Sequence, residues 1–576
     1  MNRPPLPPGE PAMSPAAASN ATPAIPRVRW NDYSALTPPE IGEWTPSMRV
    51  SVIVPAYNGH EKLDLTLAGL ADQSYPAHLI EVIVVDNGSE PPLRLPEIRH
   101  PNTRLIVCAT PGRANARNAG LRAATGDVIH WLDSDVVLDR VAIEAHMRWH
   151  HLAPYLSVTS YLRFTTVELP VPADVIAIDD RAKLFEPTEP HAWIVKLVDS
   201  TDKLRSSDHG AFRLHVGGST SVNARLIKAA GPMDEGLILG QDTEMGYRLF
   251  EAGAVFIPEP RSIGYHLGPT MRMREGTSIS RVSQAFIVDR VPHYRWLRTH
   301  PNRQWDVPYV EVEIDATDAS YEDVRASVDG ILGSTVPDVS VVLLGPWEEL
   351  DREPERRSPL KDPRLDLMLI RGHYAYDSRV QIGGRSGRAP YVLRLPAGWV
   401  PGEDTLAELL HLMVERPLGL LSVLLSGLLE GGVMARLERT AAFARARMMA
   451  REGEDLDAIV GDVFGSMQVF RETFEFLPTA EAKRPVERRT AYRARGEVSN
   501  PSNAEAQRLI KENELLKSKV AEWRDESKRW RSTAVEFRRE IGSLKKQVNA
   551  LKRARGIGRL TRRLHGLLRE PQPPRQ

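Results

Sequence analysis

Residues 130–138 read HWLDSDVVL, an apolar run that ends in two aspartates, Asp133 and Asp135. A buried strand gains nothing from carboxylates at its end, and two so close repel each other, so the pair asks for a positive partner. Upstream, MRVSVIVPAYN (48–58) opens on the continuous apolar pattern of a buried parallel strand. HEKLDLTLAGLADQSYP (60–76) follows with Leu63, Leu67 and Leu70 at helical spacing. EVIVVDNGS (81–89) is a second buried strand ending in Asp86, TRLIVCAT (103–110) a third, GRANARNAGLRAAT (112–125) a helix, and DVIHWLDSD (127–135) a fourth strand. Strands alternating with helices predict a parallel α/β sheet. In such sheets ligands bind beyond the carboxyl ends of the strands, where Asn58, Asp86, Asp133 and Asp135 all fall.

The pieces VSVIVPAYN, VIVVDNGS, ARNAGL, TGDVIHWLDSD, GGSTSVNARLIKAAGPMDEG and GQDTEMGYRL, in this order over roughly 48–270, resemble the family 2 glycosyltransferases. The resemblance implies a GT-A fold, a nucleotide-diphospho-sugar donor and a divalent cation, Mn²⁺ or Mg²⁺. A divalent cation suits this chemistry because a departing nucleoside diphosphate builds negative charge, and hard cations take carboxylate oxygens. By resemblance Asp135 ligates the metal, Asp133 touches the ribose or the metal through water, and Asp86 holds the base. Pro55, Tyr57 and Asn58 line the nucleotide pocket, and Arg117 stands on the donor side. On the residues alone, Asp86 also reads as an Asx-turn cap, Tyr57 as a half-buried aromatic and Arg117 as a helix-surface arginine.

An acceptor hydroxyl must lose its proton as it attacks, which needs a base. By resemblance the base is Asp242, with Glu244 on the acceptor side as runner-up; Gln241 stands where the family carries Glu. Both acids also suit a helix N-terminus. His266 stands where many relatives carry a metal-binding histidine, and a structural role is the competing reading. Gly217 and Gly218 resemble a tight segment facing the acceptor.

A weaker copy of the same pattern follows. VEVEIDATDASYEDVRASVDGILGSTVPDVSVVLLGPW (310–347) parallels the first strand, helix and strand, and YVLRLPAGWVPGEDTLAELLHLMVERP (391–417) parallels the DSD region. Pro396 and Gly398 stand in place of Asp133 and Asp135, and Gly345 in place of Asp86. The domain reading is a disordered Pro/Ala-rich arm (1–47), a GT-A catalytic domain (48–275), a connector (276–308) and a degenerate GT-A-like α/β domain (309–480). A linker (481–505), a coiled coil (506–552) and a basic tail (553–576) complete it.

The coiled coil rests on a seam with alternating spacings of three and four, including Leu509, Leu516, Val520, Trp523 and Trp530, with Asn513 at an a position. It predicts a homo-oligomer. From Ile541 to Gln576 there are ten Lys/Arg and one Glu, so an anionic membrane surface is a candidate partner and a solvated tail the competing reading. No nucleic-acid-binding motif accompanies that charge.

The whole chain, 576 residues with 75 basic and 75 acidic side chains, is long enough for two to four domains, and its net charge names no partner. The single cysteine, Cys108, fits a reducing compartment. The longest apolar run, 417–429, is shorter than the ~20 residues a spanning helix needs. The expectation is a cytoplasmic protein, with the inner membrane face as a parking place for the tail. The function expected is a metal-dependent, inverting glycosyltransferase acting on a glycan or lipid-linked hydroxyl, in cell-envelope polysaccharide or glycoconjugate synthesis. The alternative is a non-catalytic oligomeric scaffold or sugar-binding protein.

Overall fold

The computed structural model describes residues 25–482 apart from 301–302, 352–357, 385–386 and 428–430, plus scattered positions between 511 and 543. The chain divides into two compact units, 1–485 and 486–576. Of the second unit, the described positions, among them Lys511, Asn513 and Glu522, are helical and exposed. The rest of the predicted coiled coil, the basic tail and most of the linker lie outside the described residues.

The first unit holds two large sheets. The first is built from β1 (Val50–Ala56), β2 (Ile80–Asp86), β3 (Thr103–Val107), β4 (Val128–Leu132), β5 (Val136–Leu138), β6 (Leu156–Thr165), β7 (Thr188–Pro190), β8 (Ser219–Asn223) and β9 (Val255–Leu267). Its order is β3-β2-β1-β4-β8-β6-β9-β5, with β7 beside β6. The helices are α1 (His60–Ala71), α2 (Arg113–Ala123), α3 (Ala142–His150), α4 (Pro172–Ala177), α5 (Ala182–Phe185), α6 (Ala192–Ser200), α7 (Ala224–Ala230), α8 (Gln241–Glu251) and α9 (Met271–Ile287). β1, β2 and β4 are buried along their whole length except Pro55, as continuous apolar runs between two helix layers require. Helix α2 lies hard against β1 because Gly120 carries no side chain there; a methyl group would overlap Ile53.

The second sheet comprises β10 (Val310–Asp315), β11 (Val339–Leu344), β12 (Val380–Ile382), β13 (Tyr391–Arg394), β15 (Leu420–Ser426), β16 (Val433–Arg439) and β17 (Ser466–Phe470); β14 (Trp399–Pro401) pairs with β18 (Phe476–Pro478). Its helices are α10 (Tyr321–Leu332), α11 (Leu365–Tyr374), α12 (Thr405–Glu415), α13 (Thr440–Met449) and α14 (Leu456–Val463). The order is β12-β11-β10-β13-β16-β15-β17. This is the path β3-β2-β1-β4-β8-β6-β9 of the first sheet, strand for strand. Directions agree as well: β8 and β16 each run antiparallel to both neighbours, and β6∥β9 matches β15∥β17. Val50 pairs with Val128 as Val310 pairs with Tyr391, a register that sets Asp133 opposite Pro396 in the comparison and Asp135 opposite Gly398. The run 420–426 within the apolar stretch 417–429 is the core strand β15.

One expectation needs correction. The segment 25–46 is a strap, not a disordered arm. Asn31 donates to the carbonyls of Leu204 (3.1 Å) and Phe256 (2.9 Å), and accepts from the Phe256 amide at 2.8 Å. Val28, Tyr33 and Leu36 are buried in a core shared with Trp149, Phe443 and Phe464. Proline richness hid this, because a few well-spaced apolar anchors suffice to fix a chain that forms no regular element. In the connector, α9 lines the cavity described below, and Arg298 farther on pairs with Asp338 at 3.0 Å.

Candidate active site

A cavity of about 850 Å³ opens at the carboxyl ends of β1 and β4, between α8, α9 and the loop before β8. Pro55, Tyr57, Arg117, Asp133, Asp135, Gly217, Gly218, Asp242 and His266 all line it. Asp133 and Asp135 follow β4; the Asp133 amide donates to the Gly218 carbonyl (3.1 Å) and the Asp135 carbonyl accepts from the Leu267 amide (2.8 Å), so both main chains are fixed. His266, near the end of β9, brings Nε2 to 3.6 Å from Asp135 Oδ1. One ligating atom each from Asp133, Asp135 and His266 lie within 4.8 Å of one another.

This donor set, two carboxylates and an imidazole, fits a divalent cation of the Mn²⁺ kind. The electrostatics agree. Burial pushes the Asp135 carboxyl up, His266 opposes it, Asp133 adds repulsion, and Lys62 offsets only part. Lys62 itself is held by a hydrogen bond to the Leu267 carbonyl.

Arg117 bridges two of these acids. Its side chain is 8% exposed and spans two acids, Nη1 to Asp242 Oδ1 at 3.0 Å and Nη2 to Asp133 Oδ1 at 2.9 Å. Burial works against its charge, but Asp242 and Asp133 outweigh it and raise its pKa. Asp242 sits in the first turn of α8 behind Gly240, which has a φ of 95° suited to glycine. Gln241, the departure from the family pattern, is buried and donates from Nε2 to the carbonyls of Leu237 (2.8 Å) and Ile238 (3.0 Å). It fastens the loop that leads into the helix.

Three expected site residues are not in the cavity wall. Glu244 is buried and chelated by Arg248, at 2.6 and 2.8 Å. Two residues along a helix is about 200° of rotation, so Asp242 and Glu244 face opposite ways. Asp86 is buried and accepts from the Ser89 (2.8 Å) and Leu93 (3.0 Å) amides. Burial alone would raise its carboxyl, but those amides and the Ser89 hydroxyl lower it. It shapes the loop after β2, the capping alternative. Asn58, at φ 53°, accepts from the Glu90 amide (3.0 Å) and likewise ties that loop.

The wall also contains His191, Trp193, Arg213, His215, Arg274 and Trp296. None belongs to a motif that flags it. His215 is buried, neither ring nitrogen has a hydrogen-bond partner among the described residues, and its pKa is drawn down to about 4, chiefly by burial, with Asp242 opposing and Arg117 and Arg248 adding to the fall. It reaches this position because Gly246, one turn after Asp242, has no side chain to exclude it.

Comparison with known proteins follows the same line. Residues 51–192 match the sequence model of glycosyl transferase family 2. The chain is 24% identical over 369 residues to a chondroitin synthase of Escherichia coli, covering 58% of this chain and 49% of that protein. It is 28% identical over 326 residues to a hyaluronan synthase of Pasteurella multocida, covering 51% and 32%. The chain thus spans half the length of these relatives or less. The solved mannosyltransferase PcManGT from Pyrobaculum calidifontis, in complex with GDP-Man and Mn²⁺, is 18% identical with a TM-score of 0.28, over 42% of this chain and 66% of that one. Within the first sheet, residues 51–192 are thus the part of the chain that matches the family 2 glycosyltransferase model.

Proposed function

We propose that the protein is a metal-dependent, inverting glycosyltransferase that moves a sugar from a nucleotide-diphospho-sugar to a hydroxyl of a growing glycan. The observation that carries this reading is the meeting of Asp133, Asp135, His266 and Asp242 in one cavity. Asp242 spends Oδ1 on Arg117 and takes the acceptor proton on Oδ2. The acceptor oxygen forms its bond to the anomeric carbon as the bond from that carbon to the diphosphate oxygen breaks, the electron pair leaving with the nucleoside diphosphate. One displacement inverts the anomeric centre. A divalent cation on Asp133, Asp135 and His266 would neutralise the charge of that leaving group. The chondroitin and hyaluronan synthases among the relatives make a cell-envelope polysaccharide the favoured product class.

The second sheet is, in this reading, a duplicated GT-A-like domain without a site. Its rim offers Pro396, Gly398 and Gly345 where the first has aspartates, and the Trp347 indole lies 3.3 Å from where a Gly345 side chain would begin. Residues 506–552 oligomerise the chain, and the basic tail meets an anionic membrane.

The test is a nucleotide-sugar panel with Mn²⁺ or Mg²⁺, read as nucleoside diphosphate release. Asp135→Ala abolishes release, whereas Glu403→Ala, in the turn between β14 and α12, leaves it unchanged. Release that survives both Asp135→Ala and chelation refutes the metal-dependent reading.

A further inference from the structure

We propose that Arg117 is a positioning residue that ties the donor-side carboxylate, Asp133, to the acceptor-side carboxylate, Asp242, and that Gly217 is a glycine so that this bridge can form. The inference rests on the glycosyltransferase reading above. It gives Arg117 and Gly217 roles different from donor binding and acceptor contact.

Four observations carry it. First, the three partners come from distant elements: α2, the end of β4 and the start of α8, with 16 and 125 residues between Arg117 and its two acids. A planar guanidinium with one nitrogen on each acid fixes their separation in a way a flexible ammonium cannot. Second, exposure is divided unequally. The Arg117 side chain is 8% exposed and both carboxylates are 36% exposed. The arginine is wall, and the acids face the ligand space. Third, the buried Arg117 Nε has no hydrogen-bond partner among the described residues. Leaving it bare carries a penalty, so the two acids, not the local helix, set the orientation of the group.

Fourth, Gly217 has no positive φ, so its backbone does not require glycine. A β-carbon there would overlap Nη2 and Cζ of Arg117. Close approach of the guanidinium is therefore what the missing side chain allows. The bridge uses Oδ1 of each acid and leaves each Oδ2 for other partners. It thus aims the base at the face of the cavity where the donor is held, and a displacement of about 1 Å in such a group costs up to ~100-fold in rate.

The experiment uses the full chain, with Arg117→Lys, Gly217→Ala and the double variant. Calorimetry measures the binding of UDP and of GDP, each with Mn²⁺. Steady-state kinetics follow on whichever nucleotide-sugar of the panel the wild type consumes. Affinity for the nucleoside diphosphate and KM for the donor are expected to stay within about threefold of wild type, while kcat falls about 10–100-fold in each single variant. Gly217→Ala keeps every charge, so its defect reads the displaced guanidinium alone. The double variant is expected to be no slower than Arg117→Lys, because the alanine has no bridge left to break.

A tenfold weaker nucleoside diphosphate affinity with unchanged kcat overturns the proposal and makes Arg117 a donor-gripping residue. A silent Gly217→Ala also overturns it. A wild type that consumes no nucleotide-sugar overturns the glycosyltransferase reading and the inference with it, an outcome separate from both.

Discussion

Asp242 and Glu244 stand two residues apart on α8 and do opposite work. Asp242 lines the cavity with one oxygen on Arg117; Glu244 is turned away and locked onto Arg248. Asp242→Asn is therefore expected to lower kcat about 100- to 10,000-fold, the range for losing a general base, while UDP·Mn²⁺ binding measured by calorimetry holds. Glu244→Ala should leave turnover intact and lower the melting temperature, because it takes the carboxylate from the Arg248 guanidinium and leaves it only the Ala230 and Gly231 carbonyls; removing one partner of a buried pair costs up to about 3–5 kcal/mol. A turnover defect in Glu244→Ala without a stability defect would reverse the two roles. The sequence made the DSD pair legible because carboxylates after an apolar strand have no other economy, whatever the rest of the chain does. The resemblance put Asp242 ahead of Glu244, and the ~200° of helical rotation between them gives the physical reason that only Asp242 lines the cavity. The sequence did not reveal His215 or Trp193, which reach the cavity through a long excursion between β6 and β8 whose path depends on tertiary packing.

At the scale of elements, helix α3 meets the sheet through a buried network of histidines and hydroxyls. His146 bonds Ser221 (2.7 Å) and Ser160 (2.9 Å), His150 bonds Ser221 (2.7 Å), and His130 on β4 bonds Ser219 (2.9 Å). The sequence reading placed no strand at β6 or β8, and no periodicity distinguishes an inward serine that meets a histidine from one that meets a leucine. All three imidazoles are held neutral. Burial draws His130 and His150 down to about 3, and His146 is lowered by burial with further repulsion from its two neighbours. A histidine whose folded pKa lies below its unfolded value gives stability that is complete above the unfolded pKa, near 6.5, and is lost as pH falls toward the folded value. Each such group then contributes about 1.4 kcal/mol of lost stability per pH unit below that point. His215 and His293 carry shifts of the same sign, so the wild type is expected to melt progressively lower between pH 7 and pH 5. The diagnostic is the slope of melting temperature against pH in His150→Gln, which removes one of the groups. It should be shallower than in the wild type, and an identical slope would show that His150 does not resist protonation.

The described residues of 25–482 form two sheets of matching strand order, each on its own core, that meet in one shared apolar cluster. The alternating strand and helix pattern was legible in both sheets, since it reports local burial. Which side chains join them was not, because those contacts are set by tertiary packing rather than by local periodicity. Val28 and Tyr33 of the strap, Tyr155 and Ile257 of the first sheet, and Leu420, Phe443 and Phe464 of the second side form one apolar cluster. At its centre Arg445 is fully buried and donates to the carbonyls of Gly253 (2.8 Å), Ala254 (2.9 Å), Val28 (3.1 Å) and Trp30. These acceptors belong to the first domain and the strap, and the donor to α13 of the second. Burial without an acidic partner pulls the Arg445 pKa down to about 10, with Tyr155 opposing, so the charge persists at neutral pH. Gly253, at φ 96°, faces the Arg445 backbone, and a β-carbon there would lie 2.6 Å from the Arg445 amide nitrogen. A shared core of this kind couples the two halves, so calorimetry of the full chain should show a single main unfolding transition for this unit rather than one per sheet. Gly253→Ala is expected to destabilise by about 2–4 kcal/mol, from left-handed strain and overpacking together, and Arg445→Leu by about 3 kcal/mol or more from orphaned carbonyls. Both variants should move the one transition downward as a whole. If instead either splits the trace, with one half melting early and the other unmoved, the sheets unfold independently and the strap is only a tether between them.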